Sequence, residues 1–424
     1  MDKLVIRGGN PLQGSVTVDG SKNGALPILF ASLMAEEPVT LSNVPRLVDI
    51  RTTVRILGGL EAEVQESRNQ FTIHAPDEGS VTAPYELVRR MRASVCSLGP
   101  LLARRGRARV SRPGGCAIGD RPIDLHLKGL VALGAEIKSR QGYLEATAKR
   151  LKGTTIFLAG PFGSSVLGTA NIMMAASRAE GVTTIEGAAC EPEITGLADF
   201  LTMLGAHVEG AGTPTIRIEG CDSLGGGSYT IPPDRIEAGT YVIAGAIAGG
   251  EVEVTDIVPG HLRSLIDILQ RMGVRLEVGD SSIRVWGGPS IQPLDIATLP
   301  YPGFPTDLQA QLMALMCRGD GISLITEKVY PDRFMHIAEL NRLGASIRKE
   351  GPTAIIHGGR PLSGADVMAS DLRASACLIL AGLIADGITE VHRIYHLDRG
   401  YVDMERKLAS LGADIRREYD ENGV

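Results

Sequence analysis

A chain of 424 residues is too long for one ordinary core, so two domains are expected. Hydrophobic residues make up 44% and aromatics only 4%, with 52 glycines, which fits a well-cored soluble protein with many turns and small-residue packing. A net charge of −6 and six unclustered cysteines argue against a nucleic-acid surface, a zinc site or a disulfide framework, and for a reducing cytoplasm; no apolar run reaches membrane length.

The N-terminal stretch Met1-Asp2-Lys3-Leu4-Val5-Ile6 reads as a strand with no signal-peptide pattern. From there one unit recurs about every 70 residues. Small-plus-apolar helices are expected over 25–33, 93–102, 169–179, 238–248, 307–316 and 374–385. They are apolar nearly all round, so they belong in a buried bundle with sheets outside. Each runs into a β-branched strand, such as Val182-Thr183-Thr184-Ile185 or Ile388-Thr389-Glu390-Val391. An amphipathic helix follows and closes at Leu57-Gly58-Gly59, Leu133-Gly134-Ala135, Leu204-Gly205-Ala206, Met272-Gly273-Val274, Leu343-Gly344-Ala345 or Leu411-Gly412-Ala413. Gly205 reads as a C-terminal cap. Two strands complete the unit, with turns at Gly142 and Gly351 in two copies.

The sixth unit stops at Ile415–Glu418 without its second strand. Leu4-Val5-Ile6-Arg7-Gly8-Gly9 has the missing pattern, like Ile355-Ile356-His357-Gly358-Gly359. The N-terminus is therefore expected to complete the C-terminal domain. This divides the chain into domain I, residues 22–233 with repeats one to three, and domain II, residues 1–21 plus 234–424 with repeats four to six. Two crossings suggest a hinge, with closure over a ligand.

Residues 111–126 carry the most chemistry. Pro113-Gly114-Gly115 cannot extend a helix or central strand, so Cys116 lies on a loop beside Arg112 and Arg121. Nearby positive charge favours thiolate formation, which marks a reactive cysteine; an incidental cysteine on a surface turn is the plain alternative.

Superposing the units aligns a polar set. Lys22, Arg92, Arg235, Asp307 and Arg373 stand at first-helix starts, and Arg46, Arg121, Arg333 and Arg399 follow the next strand. Cations at a helix start oppose its macrodipole, so an anionic ligand explains them better than stability does. Structural pairing with Asp332 or Asp398 is the alternative for any one arginine. Asp307 breaks the series. From spacing it reads first as an N-cap, and second as a base for a substrate hydroxyl.

Longer motifs then carry a resemblance: Gly20-Ser21-Lys22-Asn23-Gly24-Ala25-Leu26-Pro27, Met91-Arg92-Ala93-Ser94, Pro113-Gly114-Gly115-Cys116-Ala117-Ile118-Gly119, Arg121-Pro122-Ile123-Asp124-Leu125-His126, Pro233-Asp234-Arg235-Ile236-Glu237, Phe304-Pro305-Thr306-Asp307-Leu308-Gln309-Ala310, Asp332-Arg333-Phe334-Met335-His336, Asp371-Leu372-Arg373-Ala374-Ser375 and Asp398-Arg399-Gly400-Tyr401. With these the chain resembles, over residues 1–418, the enolpyruvyl transferases of the EPSP synthase family that act on UDP-N-acetylglucosamine. The resemblance implies an inside-out α/β barrel in two domains, with six βαβαββ repeats, three per domain. It implies transfer of enolpyruvyl from phosphoenolpyruvate to the sugar 3-hydroxyl with loss of phosphate, through a tetrahedral ketal, opening peptidoglycan precursor synthesis in the cytoplasm.

The resemblance also assigns residues. Cys116 is the proton donor to the phosphoenolpyruvate methylene and can form a covalent adduct, and Asp307 is the base. Lys22, Arg121 and Arg399 hold phosphate. Arg333 and Arg373 hold the carboxylate, and Asp371 belongs to the same substrate site. Asn23 and Val329 touch the sugar, and Arg92 contacts the nucleotide diphosphate or holds the loop. Arg121, Pro122, Ile123, Asp124, Leu125, Ser165 and Val166 cradle uridine and diphosphate. No cofactor or metal is implied, and the partners are the two small molecules alone, without nucleic acid or membrane, for a monomer or weak oligomer. Leu167 stands where many relatives have glycine, and Gly163 or Ser164 where some have lysine. The sister enzyme acting on shikimate 3-phosphate is the nearest rival; it usually has serine at the place of Asn23 and lacks the Gly-Gly-Cys loop. A non-catalytic binder of nucleotide sugars and a repeat scaffold for partner proteins are the others.

Overall fold

The computed structural model describes residues 2–89, 91–112, 123–288 and 290–419. They form a mixed α/β fold in two compact units, one of residues 2–19 and 233–419, the other of residues 20–112 and 123–232.

The core of each unit is made of three apolar helical segments. In the unit with the N-terminus these are Arg235–Ala248, Gln309–Cys317 and Leu372–Gly382. In the other they are Lys22–Ala31, Leu98–Arg105 and Val166–Ala176. Gln309–Cys317 is buried at every position, as a helix without a polar face must be. Among the described residues each unit also has three larger sheets, beside a two-stranded one, Ala159–Gly160 with Gly163–Ser164, in the unit of residues 20–112 and 123–232, and most inner strands of the larger sheets alternate in burial. Thr215–Glu219 and Gln70–His74 bury every second residue, so one sheet face packs inward and the other meets water.

Strand order repeats from sheet to sheet. A short edge strand pairs parallel with a central strand, which pairs antiparallel with a third, and that with a fourth. Asp295–Ala297, Ile322–Thr326, Thr353–His357 and Ser346–Glu350 follow this order, as do Thr155–Phe157, Val182–Glu186, Thr215–Glu219 and His207–Glu209. In the sixth copy, Lys3–Arg7 takes the third place, antiparallel to both Ile388–His392 and Asp414–Glu418. Leu12–Thr17 likewise supplies the parallel edge for Gly250–Thr255. One sheet, Arg107–Ser111, Tyr143–Thr147 and Glu136–Arg140, has three named strands; a lone parallel bridge from Thr82 to Arg109 stands where its fourth would be.

Several helices begin about one turn ahead of their apolar run, because a polar side chain caps them there. Ser21 Oγ accepts from Gly24 N, Ser165 Oγ from Gly168 N, Asp234 from Ile236 N and Glu237 N, and Asp371 from Arg373 N and Ala374 N. The other two start differently. Arg92–Ser97 and Thr306–Leu308 are 3₁₀ turns leading into Leu98–Arg105 and Gln309–Cys317, and neither has a side-chain cap. Pro100 explains the first of these: without an N–H it suits the first turn of a helix and not its interior. Gly205, with φ of +107°, ends Pro192–Met203 as expected, its neighbour Ala206 N reaching back to Leu201 O.

Candidate active site

The cap reading of Asp307 does not hold. Its carboxylate caps no helix and instead lies between two arginines. Arg333 Nη1 donates to Oδ1 at 2.7 Å, and Arg373 Nη2 donates to Oδ2 at 2.9 Å. The 3₁₀ turn makes this possible, because it supplies its own Leu308 N to Pro305 O bond and leaves the side chain free to turn outward. Both guanidinium groups are nearly buried, while a quarter of Asp307 remains exposed (6%, 4% and 26% in turn). Burial alone would raise the Asp307 carboxyl, but Arg373 and Arg333 hold it well below the ordinary carboxylate range. The same pairing raises both arginines against their own burial.

Arg373 is fixed from its far side. Its Nη1 donates to Tyr401 Oη at 3.1 Å, and Tyr401 in turn meets Thr240 Oγ1 at 2.8 Å and Gln311 Nε2 at 3.1 Å. Gln311 Nε2 also donates to the Asp307 carbonyl. Among the described residues Arg373 Nε finds no acceptor. Arg399 ends the turn Ile394–Arg399. The next residue, Gly400, lies against Leu372 so closely that a Cβ there would meet its side chain at 2.5 Å, which brings Arg399 beside the start of the Arg373 helix. Asp371 serves as that helix's cap.

In the other unit, Lys22 opens its helix with Nζ 3.5 Å from Asp49 Oδ2, both nearly buried. Asn23 follows it, half-buried, in the same first turn. Arg92 opens its 3₁₀ turn, and its charge adds to burial in pushing His126 down to about 3, so His126 is neutral. Ile123 and Asp124 begin the helix Asp124–Ala132. Leu125 packs toward Gly168, bringing it beside the helix start at Ser165 and Val166. Cys116, Arg121 and Pro122 lie outside the described residues. Val329 is half-buried, its N–H given to Glu327.

Sequence reasoning missed Glu327, Thr306 and Tyr401 as parts of this arrangement. Tyr401 could have been found, since it closes the Asp398-Arg399-Gly400-Tyr401 motif; Glu327 merely follows a strand and carried no signal. One group, Asp366, Glu390 and His392, has metal-ligand chemistry, but Lys3 Nζ already sits 2.6 Å from Glu390, so it is an ion pair.

Comparison with known proteins gives the family. The model of the family described as EPSP synthase (3-phosphoshikimate 1-carboxyvinyltransferase) matches residues 6–408. A protein of Geotalea uraniireducens named UDP-N-acetylglucosamine 1-carboxyvinyltransferase is 55% identical over 417 residues, covering 98% of this chain and 99% of that one. One of the same name from Methylacidiphilum infernorum is 52% identical over 421 residues, covering 99% of this chain and all of that one (100%). Among solved structures, the enolpyruvyl transferase NikO from Streptomyces tendae superposes with a TM-score of 0.89 at 29% identity, covering 98% of each chain. EPSP synthase from Acinetobacter baumannii shares the fold, with a TM-score of 0.75 at 20% identity, covering 99% of this chain and 100% of that one. The chain belongs to the EPSP synthase family, among the UDP-N-acetylglucosamine 1-carboxyvinyltransferases.

Proposed function

We propose that the chain transfers the enolpyruvyl group of phosphoenolpyruvate to the 3-hydroxyl of UDP-N-acetylglucosamine and releases phosphate, the first committed step of peptidoglycan precursor synthesis. The observation that carries this reading is the Arg333–Asp307–Arg373 cluster. It combines an anion-binding pair of arginines with a carboxylate, the two functions that addition of a hydroxyl to an anionic enol phosphate needs.

The cluster works in sequence. Held by two guanidinium groups, Asp307 is a poor base. The phosphoenolpyruvate carboxylate competes for Arg333 and Arg373, where Arg373 Nε still has a proton to give. As the arginines turn to that anion, their pull on Asp307 weakens and burial raises its carboxyl toward the range where it accepts the 3-hydroxyl proton. Oxygen then adds to C2 while Cys116 delivers a proton to the methylene. Return of a methyl proton to the Cys116 thiolate, with loss of phosphate from C2 of the ketal, restores the double bond. Lys22, Arg121 and Arg399 offset the phosphate charge. Asn23 and Val329 contact the sugar. Arg92, Pro122, Ile123, Asp124, Leu125, Ser165 and Val166 hold the nucleotide, and Asp371 keeps the Arg373 helix start in place.

Residues 22–233, and 1–21 with 234–424, act as the two domains of a cytoplasmic enzyme, a monomer or weak oligomer that serves cell-wall growth, cell shape and division. Among the described residues no helix is long and apolar enough to cross a membrane. Epoxide phosphonates such as fosfomycin are expected to alkylate Cys116, read as a single adduct on that peptide by mass spectrometry. The function is tested by phosphate release from phosphoenolpyruvate, with UDP-N-acetylglucosamine and shikimate 3-phosphate offered separately. Release with the nucleotide sugar alone supports the reading; release with shikimate 3-phosphate alone overturns the acceptor.

A further inference from the structure

Directly after the strand Ile322–Thr326 comes Glu327, whose side chain is 1% exposed. Among the described residues no lysine or arginine pairs with it. Such a carboxylate is costly unless hydrogen bonds satisfy it. Four do so. Its Oε1 accepts from Thr298 Oγ1, from Val329 N at 2.9 Å and from Tyr330 N at 3.0 Å, and its Oε2 accepts from Thr306 Oγ1 at 2.8 Å.

Thr306 is the informative partner. A hydroxyl has one proton, and here it points to Glu327. Its lone pairs are thereby turned to Arg333 Nη1, 3.0 Å away, the same nitrogen that donates to Asp307. The charge on Glu327 thus decides which way the Thr306 hydroxyl faces, and that decides whether Arg333 meets an acceptor or a donor. The other carboxylate oxygen gathers the amides of Val329 and Tyr330, and Thr298 Oγ1 receives Lys328 N at 3.1 Å. One buried carboxylate joins the segment holding Asp307 to the segment holding Val329. Apolar packing would close a core with less desolvation cost, so stability alone does not account for a charge here.

We propose that Glu327 is a positioning residue for enolpyruvyl transfer, setting the Thr306 hydroxyl as acceptor for Arg333 so that Arg333 and Asp307 keep one geometry. This rests on the transfer reading above. Glu327→Gln keeps the shape, but its amide Nε2 would face Thr306 and reverse that hydrogen bond. Thr306→Val removes the hydroxyl alone, and Thr306→Ser restores it.

The test is steady-state turnover of the full-length chain with phosphoenolpyruvate and UDP-N-acetylglucosamine. Glu327→Gln and Thr306→Val should each lower kcat about tenfold or more, the loss expected for a hydrogen bond to a charged group. The KM for the nucleotide sugar in Thr306→Val should stay within about threefold of the wild type, and Thr306→Ser should recover to within about threefold in kcat. The double variant should be no slower than the slower single one, because both cut one chain of contacts. A Glu327→Gln enzyme within about twofold of wild type, a Thr306→Ser enzyme as slow as Thr306→Val, or multiplying losses in the double variant would each overturn the proposal. Should Glu327→Gln not fold, the Thr306 pair decides. No phosphate release by the wild type would overturn the transfer reading itself, and the proposal with it.

Discussion

Asp307 and Asp371 both stand at first-helix starts of neighbouring repeats, Asp371 as the N-cap and Asp307 two residues after Pro305, at the place of Arg373, and they do opposite things. Asp371 turns inward and accepts two backbone N–H groups of its own helix. Asp307 turns outward to two arginines, 26 and 66 residues further along the chain. The difference lies in the local turn. Where the helix starts directly, its amides claim the nearest carboxylate. Where a 3₁₀ turn comes first, the backbone closes on itself and the side chain turns away from it. Repetition supplies the scaffold, and one altered helix start sets a carboxylate between two arginines.

That contrast can be broken most sharply at Asp307. Asp307→Ala should lower turnover by about 10²–10⁴-fold, the usual worth of a general base, while nucleotide-sugar binding by calorimetry persists. Near-normal turnover would remove the base role.

A smaller effect appears in pH dependence. The Asp307 carboxyl is depressed in the folded state, so its pairing contributes stability above the unfolded value of about 3.9, lost as pH falls through the folded value. Arg333→Ala should therefore cost most stability at neutral pH, with the difference from wild type shrinking in strong acid. Urea unfolding across pH reads this. A gap constant with pH would mean that Arg333 contributes by packing alone.

The smallest effects belong to the caps. Asp371→Ala should destabilise by about 1–2 kcal/mol. At the analogous start of Arg235–Ala248, Asp234→Asn keeps a capping oxygen and should cost only about a few tenths of a kcal/mol. Equal losses would show that charge, not capping, is what matters there.

Much of the scaffold was legible because repeats expose their own gaps. The absent second strand of the sixth unit, set against Leu4–Arg7, was enough to foresee the pairing of Lys3–Arg7 with Ile388–His392 and Asp414–Glu418. The apolar helices were legible from composition, though their first turns were not, since Ser21, Ser165, Asp234 and Asp371 lie outside the apolar run and act through only one or two hydrogen bonds each. Three of the parallel edge strands, Thr155–Phe157, Asp295–Ala297 and Asp366–Met368, escaped pattern reading because three residues are too few to show alternation. At the site, the aligned arginines pointed to an anion, but spacing favoured a cap for Asp307. Only the fold brings Arg333 and Arg373 to its two oxygens, and only the fold shows Glu327 behind Thr306.

An anion on Arg333 and Arg373 should free Asp307 to act as a base. The most direct measurement follows the carboxyl carbon resonance of Asp307, assigned by its loss in Asp307→Asn, across pH with and without saturating phosphoenolpyruvate. Without the ligand the carboxyl should titrate well below the ordinary carboxylate range, and with it the midpoint should move clearly upward. A midpoint that stays where it was when phosphoenolpyruvate binds would mean that the arginines do not release Asp307.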